Sequence, residues 1–212
     1  MRYERFLSTF GDLPVVDTAS IRIAGDDPRA LSVQLSRWVA AGRLVQLRRG
    51  VYLLPRALRK RTEPRERIAN LLVTPSYVSL ESALSIHGLI PEGVRATTSV
   101  TTGRPASFET EEGTFRYKHV SAGFFFGFHE TAIGGAPVLL ARPEKALIDL
   151  LHLSRGDLTF ERIVELRLQN TDDLDLDWMD SSAAQFGTPR VVRAVALVRQ
   201  VLHAQRAAEV DL

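Results

Sequence analysis

The apolar positions of this chain change their spacing as the sequence is read, and each change predicts an element. Residues 3–10 carry Phe6, Leu7 and Phe10 on one side, the pattern of a short amphipathic helix. Residues 17–24 read as a second helix with Asp17 or Thr18 as its cap. Gly25, Asp26 and Asp27 predict a turn, with Asp27 as cap and Pro28 as the first residue of a third helix. Within it Leu31, Leu35, Trp38 and Val39 recur at i, i+4, i+7 and i+8, and Gly42 supplies the stop. Residues 44–48 and 51–54 then read as two strands around a tight turn at Arg49-Gly50, closed by Pro55. Three helices followed by a small hairpin predict a winged helix-turn-helix over residues 1–60.

Beyond it the pattern predicts a helix over 64–73 led by Thr62 and another over 80–87 capped by Ser79. Residues 95–141 turn to strand formers. Phe115, Tyr117 and His119 alternate with Arg116 and Lys118, and Glu111-Glu112-Gly113 marks a hairpin turn. A second hairpin is expected across Gly134-Gly135, joining 124–133 to 137–141. Helices return at 143–153, 159–169, 178–186 and 189–207. The expected fold class is therefore α+β. It comprises an N-terminal winged helix-turn-helix (1–60), a basic linker and helix start (61–69), and a mixed α/β-hairpin C-terminal domain with terminal helices (70–212).

Charge sharpens the division. The net charge of +2 over 212 residues conceals two unlike parts. Residues 1–68 hold 14 Lys and Arg against 7 acids, and residues 69–212 hold 13 against 18. Much of the excess is in Arg43, Arg48, Arg49, Arg56, Arg59, Lys60, Arg61, Arg65 and Arg67. A basic part on an acidic remainder suggests a polyanion-binding module, with an Arg-rich solvated surface as the alternative. The face of the third helix opposite Leu31, Leu35 and Trp38 holds Arg29, Val33, Ser36, Arg37 and Ala40. Small, polar and cationic side chains there suit a helix entering a major groove. Its N-terminal part favours Arg29, Ser32 and Val33 as base contacts. Arg48 and Arg49 at the hairpin tip, with Arg43 between helix and hairpin, complete the expected DNA-binding set.

The sequence argues against several other functions. No cysteine is present, so disulfides and Cys-based zinc sites are excluded. His87, His119, His129, His152 and His203 are dispersed, and no metal or other cofactor is expected. No phosphate-binding glycine loop or nucleophile elbow occurs, and the residues between Gly123 and Gly127 are all Phe. Glu109, Glu111 and Glu112 fit a charged hairpin better than a nuclease centre. No enzymatic activity is expected. No apolar run approaches the ~18–20 residues of a membrane span, and the first residues lack an apolar signal core, so the cytoplasm is the expected location.

Four stretches together resemble the AbiEi antitoxin family of type IV toxin–antitoxin systems. They are residues 44–52 around Arg49-Gly50-Val51-Tyr52, residues 77–89 with Tyr77-Val78-Ser79-Leu80-Glu81 and His87-Gly88-Leu89, residues 124–128, and residues 141–149 with Arg142-Pro143-Glu144-Lys145-Ala146-Leu147 and Asp149. The resemblance runs over roughly residues 5–155. It implies a winged helix that binds double-stranded operator DNA, often at inverted repeats and thus as a dimer on DNA, and represses its own operon. It also implies a second domain that counters a nucleotidyltransferase-like toxin, with or without a stable complex. Glu144, Lys145 and Asp149 are then open to two readings, a helix start with core contacts or a contact to the partner. Ser79 and Glu81 read as cap and surface. The acidic run of Asp172, Asp173, Asp175, Asp177 and Asp180 reads as a solvated helix N-terminus and loop. Two alternatives to an antitoxin remain: a regulator whose second domain binds a small molecule or subunit, and a catalytic second domain with a DNA-binding adaptor.

Overall fold

A computed structural model describes residues 2–13, 15–23 and 28–210; the expected turn at Gly25, Asp26 and Asp27, with Asp27 as the cap of the third helix, lies outside the described residues. The N-terminal unit runs α1 (Tyr3–Phe10), β1 (Val16–Asp17), α2 (Thr18–Ile23), α3 (Pro28–Ala40), β2 (Val45–Arg48) and β3 (Val51–Leu53). Its helices pack around Phe6, Phe10, Ile21, Leu31, Leu35 and Trp38. Tyr3 and Phe6 meet Trp38 at ring-centre distances of 5.2 and 5.1 Å, within the range where aromatic pairs add to plain burial. Asp17 caps α2 as expected, its carboxylate accepting from the Ser20 amide at 2.6 Å.

Gly42 ends α3 with φ +65°, its amide bonding the Val39 carbonyl while the Arg43 amide bonds that of Trp38. This double bond pattern needs a left-handed residue, which glycine adopts without a Cβ clash. The hairpin is not two-stranded, as the sequence suggested. Val16 pairs with Tyr52 and Asp17 with Val51, so β1 makes a third strand in the order β1-β3-β2. A strand of two residues has no alternation to reveal it.

The rest of the chain builds one six-stranded sheet. Its elements are α4 (Arg65–Leu72), β4 (Ser76–Val78), α5 (Leu80–Ile86), β5 (Ala96–Thr101), β6 (Ala106–Thr110), β7 (Gly113–His119), β8 (Phe128–Ile133) and β9 (Ala136–Ala141). The helices α6 (Pro143–Leu153), α7 (Phe160–Val164), α8 (Leu176–Phe186) and α9 (Pro189–Val210) follow. The sheet order is β6-β7-β5-β4-β9-β8, with β4 parallel to β9 and β5 parallel to β7. The two expected hairpins are thus joined through β4, a strand of three buried residues that the sequence reading passed over. Gly134 and Gly135, at φ +56° and +78°, form the two-residue turn between β8 and β9, the geometry that matches strand twist.

Several boundaries differ from expectation. Thr62 is not the cap of α4, which begins after Pro64 without a side-chain cap. Residues 122–124 form a single helical turn, so the strand begins at Phe128. The helix expected over 159–169 stops at Val164. The acidic run is largely paired: Arg199 meets Asp177 and Asp180, Arg206 meets Asp172, and Asp175 caps α8 at the Trp178 amide.

The two parts are fastened together by the basic stretch between them. Leu47, Val51 and Leu53 pack into the apolar cluster of the large sheet. Arg59 donates to the Leu54 carbonyl at 2.6 Å and to Glu112 at 3.0 Å, and Arg56 reaches the same carboxylate. Burial by itself would raise the Glu112 pKa, but hydrogen bonds from Arg59 and Arg56, with their charges, hold it below the ordinary 4.5. A depressed folded-state pKa means that this carboxylate stabilises the fold above the ordinary carboxylate range. That contribution is lost as pH falls through the folded-state value. Glu112→Gln should therefore be less stable than the parent at pH 7, with the gap closing towards pH 3. Urea unfolding at both pH values measures it, and a gap independent of pH would contradict the pairing.

Candidate nucleic-acid interface

The helical period of α3 separates two faces. Leu31, Leu35 and Trp38 are buried, while Arg29, Ser32, Val33, Ser36 and Arg37 are all exposed. Val33 is 53% exposed, unusual for a branched apolar residue and suited to an apolar contact with a thymine methyl group. The Ser36 hydroxyl donates to the Ser32 carbonyl at 3.0 Å, leaving its oxygen as an acceptor outward. From Arg29 to Arg37 the stripe rises by about 12 Å at ~1.5 Å per residue. The Arg29 and Arg37 side chains have no ion-pair partner among the described residues.

Arg43 follows the end of α3, exposed, with its guanidinium 5.2 Å from the centre of the Tyr3 ring. Tyr3 donates to the Arg43 carbonyl at 2.8 Å, which fixes the backbone at that corner. Arg49 is exposed at the hairpin turn. Arg48, expected beside it as a second contact, points the other way. Its Nε donates to the Leu72 carbonyl at the end of α4 at 2.6 Å, and its charge acts on buried Tyr117. A register irregularity between Gln46 and Arg48 breaks the strand alternation, so that Arg48 faces the large sheet together with its neighbour Leu47, while Arg49 lies in the turn. Of the basic stretch, Arg48, Arg56, Arg59 and Lys60 all have intramolecular partners, the last being Asp12. Much of the local charge excess therefore joins the two parts of the chain, and a smaller set faces outward.

Glu144, Lys145 and Asp149 do not present a surface to a partner. They are 3%, 0% and 0% exposed. Lys145 Nζ lies 2.5 Å from Asp149 Oδ1 and donates to the Phe124 carbonyl at 3.0 Å. The rings of Phe124 and Phe126 sit 3.9 and 4.4 Å from the same nitrogen. Asp149 Oδ2 accepts from Tyr77 at 2.9 Å and from Ser79 at 2.7 Å. Burial pushes the Asp149 carboxyl up and the Lys145 amine down, each opposed by the other's charge. Burial also raises the Tyr77 phenol, and the adjacent carboxylate adds to this. Glu144 accepts from the Asp175 amide at 3.0 Å and so ties α6 to α8. Ser79 spends its hydroxyl on Asp149 and does not cap α5.

Tyr77-Val78-Ser79 and Pro143-Glu144-Lys145 are separate motifs along the chain, and the fold closes them on each other. A signal was available. Lys145 and Asp149 stand four residues apart among Ala146, Leu147, Leu150 and Leu151, a charged pair on a helix otherwise apolar on that side.

Residues 10–55 match the model of the family described as transcriptional regulator, AbiEi antitoxin, the family that the motifs resemble. The match spans β1, α2, α3, β2 and β3 and supports a regulatory antitoxin role; the motifs at 77–89 and 141–149 lie beyond it. No curated protein matches the chain in sequence. No helix among the described residues is long and apolar enough to cross a membrane.

Proposed function

We propose that residues 1–60 form a winged helix-turn-helix that binds double-stranded operator DNA, and that residues 70–212 form the antitoxin domain. In this reading the protein represses its own operon and counters a cognate nucleotidyltransferase-like toxin. The observation that carries it is the outward face of α3. Arg29, Ser32, Val33, Ser36 and Arg37 are exposed together, within the segment that matches the AbiEi family model. Ser32, towards the N-terminal end of α3, meets base edges, and Arg29 meets the flanking phosphate. Arg37, Arg43 and Arg49 meet phosphates on either side of the groove. Arg48 leaves the contact set because its guanidinium is held by Leu72. Binding as a dimer on an inverted repeat follows from the two-fold symmetry of such sites.

Phosphate contacts make affinity fall with salt by about 0.9 log units per contact per log unit of salt. With Arg29, Arg37, Arg43 and Arg49 on phosphates, the slope should be about −3.6 per protomer. Titration of DNA from upstream of the coding sequence at several salt concentrations measures it. A slope near zero, or equal affinity for a scrambled duplex, would overturn the DNA reading. Co-expression with the product of the adjacent gene should restore growth that this product alone arrests. Continued arrest would overturn the antitoxin reading.

A further inference from the structure

A cavity of about 610 Å³ opens on the side of the large sheet that carries α5, within the ~300–1,000 Å³ typical of small-molecule sites. Its apolar wall is made by Leu80, Leu84, Ile90, Leu150 and Leu166. Two features set it apart from a packing defect. Glu81 lines it, and the Oε2 atom of that carboxylate is buried with no hydrogen-bond partner. A buried acceptor of this kind is costly unless something donates to it. The second feature is charge. Arg95, Arg116 and Lys118 also line the cavity, and their side chains have no ion-pair partner among the described residues. Glu92 at the mouth is already held by Arg167, while Glu165 stands exposed there.

Strand pairing explains why the cations gather. Thr98 lies opposite Arg116 in the parallel β5–β7 pair, and Thr98 hydrogen-bonds Ser82 of α5. Residues 116 and 118 therefore stand on the α5 side, while Phe115 and Tyr117 are buried on the other. Leu80, at the base of the cavity, adopts φ +58°, an uncommon conformation for a bulky residue and one that clusters at ligand sites.

We infer that this cavity binds a small amphipathic molecule. Its apolar body lies against the leucines, an N–H or O–H donates to Glu81, and an anionic group meets Arg95, Arg116 and Lys118. The site is separate from the DNA face, so the inference stands whether or not the proposed regulation is correct.

Anilinonaphthalene sulfonate carries all three features, an apolar bicycle, one N–H and a sulfonate, and serves as the probe. Added to the full chain, it should shift amide resonances of residues 80–96, 116–118 and 165–166. Arg116→Ala with Lys118→Ala should weaken binding about tenfold or more, the effect of losing a charge-assisted bond. Val94→Trp, at the cavity wall, should abolish it. Both substitutions fall outside the buried core, and retained amide dispersion checks the fold. Shifts elsewhere, such as at the exposed Phe160 and Val164, would overturn the site. Blocking by Val94→Trp with no effect of the charge removals would overturn the anionic class of ligand.

Discussion

Replacing Asp149 by Ala is expected to destabilise the protein by about 3–5 kcal/mol, the usual result of breaking a buried ion pair from one side. Three groups lose their acceptor at once. Lys145 Nζ keeps only the Phe124 carbonyl, and the Tyr77 and Ser79 hydroxyls keep nothing in the network. All three side chains are 0% exposed, so bulk solvent does not reach the donors left behind. Such a loss is a large part of the ~5–15 kcal/mol that holds a typical domain together. Urea unfolding at neutral pH measures it. The pair Lys145→Met with Asp149→Leu should cost less than Asp149→Ala alone, because no unpaired charge is left inside. It should still not reach parental stability, since two buried hydroxyls remain without a partner at ~1–3 kcal/mol each. Adding Tyr77→Phe and Ser79→Ala should recover most of the difference. A loss below 1 kcal/mol for Asp149→Ala would show that the network is not a structural support. A partner-contact role predicts the opposite pattern, lost toxin protection with stability unchanged.

The second large effect concerns DNA. Arg29→Ala, Arg37→Ala and Arg49→Ala combined should lower the salt slope by about 2.7, leaving about 0.9 for the contact of Arg43. Affinity at low salt should fall with it, while stability changes little because all three side chains are exposed. Arg48→Ala is the informative control. It lies next to Arg49 in the chain, yet its guanidinium serves the Leu72 carbonyl. Removing it should leave the salt slope unchanged and lower stability, by about 1.5–3 kcal/mol for a hydrogen bond from a charged group. A slope that falls equally for Arg48→Ala and Arg49→Ala would place both side chains on phosphate and contradict the inward position of Arg48.

These contrasts show where local pattern and tertiary contact part company. The amphipathic period of residues 28–40, the glycine that ends it and the Arg49-Gly50 turn were legible because each depends on neighbours within four residues. The period also told which face of α3 is buried and so which residues face outward. Short strands behaved differently. Val16–Asp17 and Ser76–Val78 are strands only because Tyr52 and Val51, or Val100 and Ser99, lie across from them. Charge behaved in the same way. The excess in residues 1–68 is real, but the count does not tell an arginine facing solvent from one facing Glu112 on a turn more than fifty residues away.

The sequence by itself determined the α+β class, the outward face of α3, the absence of cysteine chemistry and the family that the chain resembles. All of these follow from composition or from spacing along a single element. Only the tertiary structure decided that Arg48 is a fastening, that β4 makes one sheet of two hairpins, and that Lys145 and Asp149 lie buried against Tyr77 and Ser79. The physical reason is the same in each case. The position of a charged side chain is set by the partner that compensates its removal from water. Here the partners Leu72, Glu112, Tyr77 and Ser79 stand 24 to 72 residues away along the chain.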